Sequence, residues 1–259
     1  MKNFGTILKT PLKWIICSIV IILGLSIFFI LQYNKASDSY AWFNGQGEND
    51  AYVFPEYKGK KPMEWNDIIK FNQIPEETLK SMSTEGLIET CINYPLFATG
   101  IIISSESLYA GFQKTCQDFN GLKELYQRKD APTKLVDMFT SIDLKKLQHT
   151  KSPAFLYKYI CYMIAKDEII LNICSDDIEQ LIKALKSQEK FINKNVVKFS
   201  QYDPLFVKFR IYKRLYPQFN NLYESNFKLQ AFVDTGVWIN ITENECELLM
   251  KQVDTIFNE

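Results

Sequence analysis

What this chain lacks narrows it before anything it contains. Its 30 Lys and Arg balance 30 Asp and Glu, so there is no basic excess. Nucleic-acid binders usually carry one as a patch or stripe, and that partner class is set aside. There is one histidine, His149, which removes most metal sites and most imidazole acid–base chemistry. The six cysteines contain no C-x-x-C pair, so neither a zinc ribbon nor a thioredoxin-like site is encoded. Ten glycines form no phosphate-cradling loop, and no G-x-S-x-G nucleophile elbow exists. No cofactor, no metal and no catalytic group is expected. Disorder is excluded over most of the length, because 47% of the residues are hydrophobic.

The amino terminus carries the strongest positive signal. Between Lys13 and Lys35 lie 21 uncharged residues, WIICSIVIILGLSIFFILQYN. Trp14 to Leu31 is the apolar heart of this run and spans roughly 27 Å as a helix, about the hydrocarbon thickness of a bilayer. A cleavable signal has an apolar region of about 7–15 residues, shorter than this one. Its best small-x-small site, Ser39-Tyr40-Ala41, is poor. A transmembrane signal anchor is expected over residues 14–34, with the lipid bilayer as its partner. Lys2, Lys9 and Lys13 precede the run, so residues 1–13 are assigned to the cytoplasm and the rest to the periplasm or cell surface. The exported part holds 27 basic against 30 acidic groups and is not built to grip phosphate or anionic lipid.

Residues 35–73 read as a stalk. Phe43 to Asp50, FNGQGEND, has the composition of a flexible tether, and Ala51 to Tyr57 of a short extended piece. Residues 74–259 read as an extracytoplasmic helical domain. Pro75-Glu76-Glu77 suits a first helical turn. Ser83, Ser105, Ser152 and Ser175 stand where helix starts are expected, and Thr242 with Glu245 forms a capping box. Only Gly100 to Ser104 and Gly236 to Ile241 resemble strands, so the fold class is all-α. A weak repeat sharpens this: Asp130/Leu135/Phe139 aligns with Asp176/Leu181/Leu185 at an offset of 46. The second copy aligns with Glu224/Leu229/Val233 at 48. Stacked helix pairs of armadillo or HEAT-like size and an irregular bundle both fit. The five exported cysteines, Cys91, Cys116, Cys161, Cys174 and Cys246, are odd in number and lie in apolar helical patterns. They read as small buried hydrophobes.

Several motifs dissolve on inspection. Asp234-Thr-Gly236 looks like an aspartic-protease turn, but that chemistry needs two carboxylates sharing a proton. One copy after a helix reads as a left-handed glycine cap. His149 falls in a polar loop, and Ser187-Gln-Glu-Lys190 on a charged helical face. Glu76/Glu77 and Asp176/Asp177 are explained by helix dipoles. Asn240-Ile-Thr242 is a glycosylation sequon only in a eukaryotic cell. The segment KFSQYDPLFVKFRIYKRLYPQFNNLY interleaves aromatic residues with Lys198, Lys208, Arg210, Lys213 and Arg214. Inward-packed rings with solvated cations would give this pattern, and so would a stacking surface for a polymer. Lys208, Arg210, Lys213 and Arg214 are the expected binding residues.

The segments NQIPEETLKSMSTEGLIETCINYPLF (Asn72 to Phe97) and GFQKTCQDFNGLKELYQRKDAPTKLVDMF (Gly111 to Phe139) carry a resemblance. With M-S-T-x-x-L-x-x-T-C-x-N-Y-P-L and F-N-G-L-x-E-L-x-x-R-x-D-A signatures, the chain resembles a family of exported helical proteins of Bacteroides-type bacteria. That family brings no assigned activity or catalytic residues, so the resemblance implies a bacterial envelope protein. The expected function is a non-catalytic binding module for an envelope protein or glycan. The alternative is a hydrolase of envelope polymers using acidic residues. It requires two carboxyl groups about 5–10 Å apart, one with a raised pKa.

Overall fold

The computed structural model describes residues 50–58, 63–97, 107–149, 153–195, 200 and 202–257. The expected tail (1–13), membrane anchor (14–34) and stalk residues 35–49 lie outside the described residues, as does Gly100–Ser104. Among the described residues no helix is long and apolar enough to cross a membrane. All the regular structure described is helical, in fourteen helices. The other expected strand, Gly236 to Ile241, is an irregular loop.

The helices fall into four successive groups of three. The first holds α1 (Trp65–Phe71), α2 (Glu76–Ser81) and α3 (Thr84–Ile92). The second holds α4 (Leu108–Asp118), α5 (Asn120–Leu125) and α6 (Ala131–Thr140), followed by the single turn α7 (Leu144–Leu147). The third holds α8 (Pro153–Ile164), α9 (Asp167–Ile170) and α10 (Ser175–Asn195). The fourth holds α11 (Tyr202–Leu215), α12 (Pro217–Ser225) and α13 (Phe227–Thr235), and α14 (Glu243–Phe257) ends the series. Helices in corresponding places pack in rows, α3 on α6 on α10, and α4 on α8 on α11. Helix α13 also packs on α4, so the fourth group meets the second.

Local chemistry explains the boundaries. Ser83 caps α3 by accepting from Gly86 N at 3.0 Å, and Ser107, two residues beyond the expected Ser105, caps α4. At α14 the capping box forms: Thr242 N donates to Glu245 Oε2 at 2.8 Å, and Glu245 N donates back to Thr242 Oγ1. Gly236 closes α13 at φ 73°, a left-handed conformation that suits glycine, with its N–H on Phe232 O at 2.8 Å. The core is aromatic and continuous. Tyr109, Phe112, Tyr159, Tyr162, Phe206, Phe209, Phe219 and Phe232 are all nearly inaccessible to water. Burying each such side chain stabilises the fold by roughly 1.5–3 kcal/mol. Cys91, Cys116 and Cys161 join this core, whereas Cys174 is exposed at the start of α10 and Cys246 is half-buried. Burial raises the Cys91, Cys116 and Cys161 thiols, Cys116 to about 12, so all three stay protonated and unreactive.

The groups are joined by hydrogen bonds that recur at similar sequence separations, 43 to 49 residues. Asn120 binds both main-chain groups of Ile74, 46 residues away: Ile74 N donates to Oδ1 at 3.0 Å, and Nδ2 donates to Ile74 O at 2.7 Å. Arg128 donates to Met82 O and Leu79 O at 2.7 and 2.9 Å. Thr84 Oγ1 donates to Asp130 one group on, and Thr133 Oγ1 donates to Asp177 in the next, at 2.8 and 2.9 Å. Both bonds join helix starts, α3 to α6 and α6 to α10, each through a Thr hydroxyl and an Asp carboxylate. The faint Asp130/Asp176 alignment in the sequence marks this place.

The stalk expectation needs correction where it is described. Asp50 accepts from Ser83 N at 2.6 Å and from Ser83 Oγ at 2.7 Å, so it braces the residue that caps α3. Tyr52 N donates to Thr90 Oγ1 at 2.8 Å, and Gln73 Nε2 donates to Asp118 O at 3.1 Å. Residues 50–57 are an irregular strap on α3, and the folded unit includes residue 50. The tether reading took polarity and glycine as freedom; a carboxylate with two donors in reach removes that freedom at Asp50.

Candidate functional site

The aromatic–basic segment becomes α11, and the structure does not present it as an open face. Ten consecutive residues, Asp203 to Tyr212, are buried, because α11 packs against α8, α9, α10, α12 and α13. Lys208 and Arg210 are only 4% and 6% exposed. The Arg210 guanidinium donates to Ala165 O at 3.1 Å and to Asp167 Oδ1 at 2.6 Å, and lies 5.4 Å from the centre of the Tyr109 ring. Lys208 Nζ lies 5.9 Å from the Tyr212 ring centre. Lys213 donates to Tyr223 OH at 2.6 Å and to Asp234 Oδ1 at 2.7 Å. Arg214 forks onto both oxygens of Asp167, with Nε on Oδ1 at 2.8 Å. Arg210 and Arg214 tie the third group to the fourth and Lys213 ties α11 to α12 and α13, while the pattern in the sequence reads equally as tie or as surface. The correction is physical: a buried guanidinium persists only where acceptors surround it, and α8, α9 and α13 supply them.

One titratable group stands out in the same region. Asp203, in the first turn of α11, is 3% exposed and pairs with Lys158 of α8 through Oδ1. Its other oxygen, Oδ2, has no partner. Burial pushes its carboxyl up, against the pull of Lys158. Among the described acids with a resolved shift it alone is raised; Asp50, Glu76, Glu85 and Glu245 are lowered by hydrogen bonds. The Oδ2 atom has under 1 Å² of accessible surface, so neither water nor substrate reaches it. Among the described residues no three His, Cys, Asp or Glu side chains gather as a metal would require. His149 is exposed, and Ser187 and Lys190 lie on the exposed face of α10.

The strap seat is the second candidate, and sequence reasoning missed it. Phe54 packs its ring 5.8 Å from Tyr94 and 6.0 Å from Phe119, which stack on each other at 3.9 Å. Tyr52 meets Phe54 edge-on at 5.2 Å, so these alternate residues share one side. Between them Val53 is 86% exposed. At Gly86 a β-carbon would sit 2.0 Å from Asp50 Oδ1, so the strap approaches α3 as closely as only glycine permits. Asp-x-Tyr-x-Phe at Asp50 to Phe54 was a legible period of two, hidden by its position after a glycine-rich stretch. No family model, no curated protein and no solved structure matches this chain.

Proposed function

We propose that the chain is a membrane-anchored interaction module, held by an anchor helix over residues 14–34, whose stacked helices face out of the cytoplasm. The repeat reading favoured is the armadillo or HEAT-like one over the irregular bundle. The observation that carries it is the recurrence of inter-group hydrogen bonds at 43 to 49 residues: Arg210–Asp167, Thr133–Asp177, Asn120–Ile74 and Phe139–Gln188 all obey it. Such arrays offer long, regular surfaces suited to binding. The partner class is an envelope protein or glycan, and the resemblance over residues 72–139 supports a bacterial envelope setting. The reading does not rest on Lys208, Arg210, Lys213 and Arg214, since Lys208 and Arg210 are buried and Lys213 and Arg214 are paired with Asp234 and Asp167. The test is affinity capture of the tagged full-length chain from cross-linked native membranes after an alkaline wash. Retention in the membrane pellet with one partner at near-equal amount is expected. Release as a partner-free monomer would overturn the reading.

A further inference from the structure

The strap is an extended segment of the chain seated on the helical array. Asp50, Tyr52 and Phe54 engage the array through alternate residues, by a carboxylate, a main-chain N–H and a ring. This is how an extended peptide is read: main-chain bonds hold it, and side chains of one parity enter the surface. The strap contributes no helix, and its Asp50 bonds are solvent-exposed, each of a kind worth about 0.5–1.5 kcal/mol net. The helix that follows it, α1, has no buried residue and touches the strap through one edge-on ring contact, Phe71 on Tyr57 at 5.9 Å. The seat belongs to the rigid rows: Tyr94 is 2% and Phe119 0% exposed beneath the strap, and the end of a helical array is not stable uncovered. A second segment of the same chemistry can therefore exchange with the strap, and an empty seat is disfavoured.

We propose that this seat binds a partner protein through an extended segment bearing a carboxylate, with aromatic residues two and four positions later. The strap acts as the resident competitor. It rests on the interaction-module reading and names its partner's chemistry. A tethered strap competes at an effective concentration near the millimolar range, so the wild-type seat takes a free peptide only weakly.

The probe is a fluorescent peptide of Asp50 to Tyr57, DAYVFPEY, titrated into purified full-length protein. Phe54→Ala weakens the strap while leaving Tyr94, Phe119 and Gly86 intact, and is expected to bind the probe at least tenfold more tightly than wild type. Tyr52→Pro, which removes the donor to Thr90, is expected to do the same and serves if the first variant fails to fold. Gly86→Ala also expels the strap, but its methyl occupies the Asp50 position, so binding no tighter than wild type is expected. Equal binding by all variants overturns the proposal, as does no binding to a strap-weakened variant with its helical signal intact. A wild-type dimer formed by strap exchange would overturn the partner assignment. Membrane capture can succeed when this test fails, in which case the partner uses another face.

Discussion

The first and last joints of the array do the same task with different chemistry. Between the first and second groups most ties end on main chain, Gln73 on Asp118 and Asn120, Asn120 on Ile74 and Arg128 on two carbonyls, beside one partly exposed ion pair, Lys134 on Glu85. Between the third and fourth groups they are mostly ionic: Lys158 on Asp203, and Arg210 and Arg214 on Asp167. The positions recur while the residue types do not. A helical row needs its loop carbonyls and helix starts satisfied at each step, and amide, hydroxyl or guanidinium can each satisfy them. That freedom leaves the offset faint in the sequence, while bonds 43 to 49 residues apart join the groups in the structure.

The two joints are expected to respond differently to substitution. Arg210→Leu should be the most damaging, costing about 3 kcal/mol or more, because it strands Ala165 O in the interior and takes one of two cations from Asp167. A lower denaturation midpoint would show it. Asn120→Ala should cost about 2–3 kcal/mol, since Ile74 is 2% exposed and both its main-chain groups lose their partner. This loss should be insensitive to salt. Arg214→Ala removes a partly exposed pair and should cost under about 1 kcal/mol, shrinking further at high ionic strength.

The smallest effect concerns the strap. The Ser83 hydroxyl and N–H hold the Asp50 carboxyl below its ordinary value. The docked state therefore favours the charged form. Strap attachment should be complete above the unfolded value near 4 and be lost as pH falls through the lower docked value. Amide exchange at Ser83 should accelerate in that window while exchange in α8 and α11 does not.

Much of the architecture could be read beforehand, and particular residues show why. Ser83, the Thr242/Glu245 box and Gly236 act within four residues of themselves, so sequence alone placed their helix ends. The all-α class followed from the same local grammar, and the 46–48 offset from three acid–Leu pairs. The ties were not legible because each joins residues 43 to 49 apart, and no local rule links Asp167 to Arg210. The sequence pattern misassigned Lys208 and Arg210 because rings alternating with cations fit a wet face and a dry one equally. Cys174 was expected in the core, yet it stands at a helix start, where its side chain faces water. Asp50 was lost to its setting, since Gly and Asn before it signalled freedom.

The most direct test follows amide hydrogen exchange along the full chain in wild type, Asn120→Ala and Arg210→Leu. If the groups are coupled through neighbouring joints, Asn120→Ala should lose protection first in α1 to α5, and Arg210→Leu in α8 to α13. Uniform loss across all helices in both variants would contradict a stacked array and indicate a single undivided core.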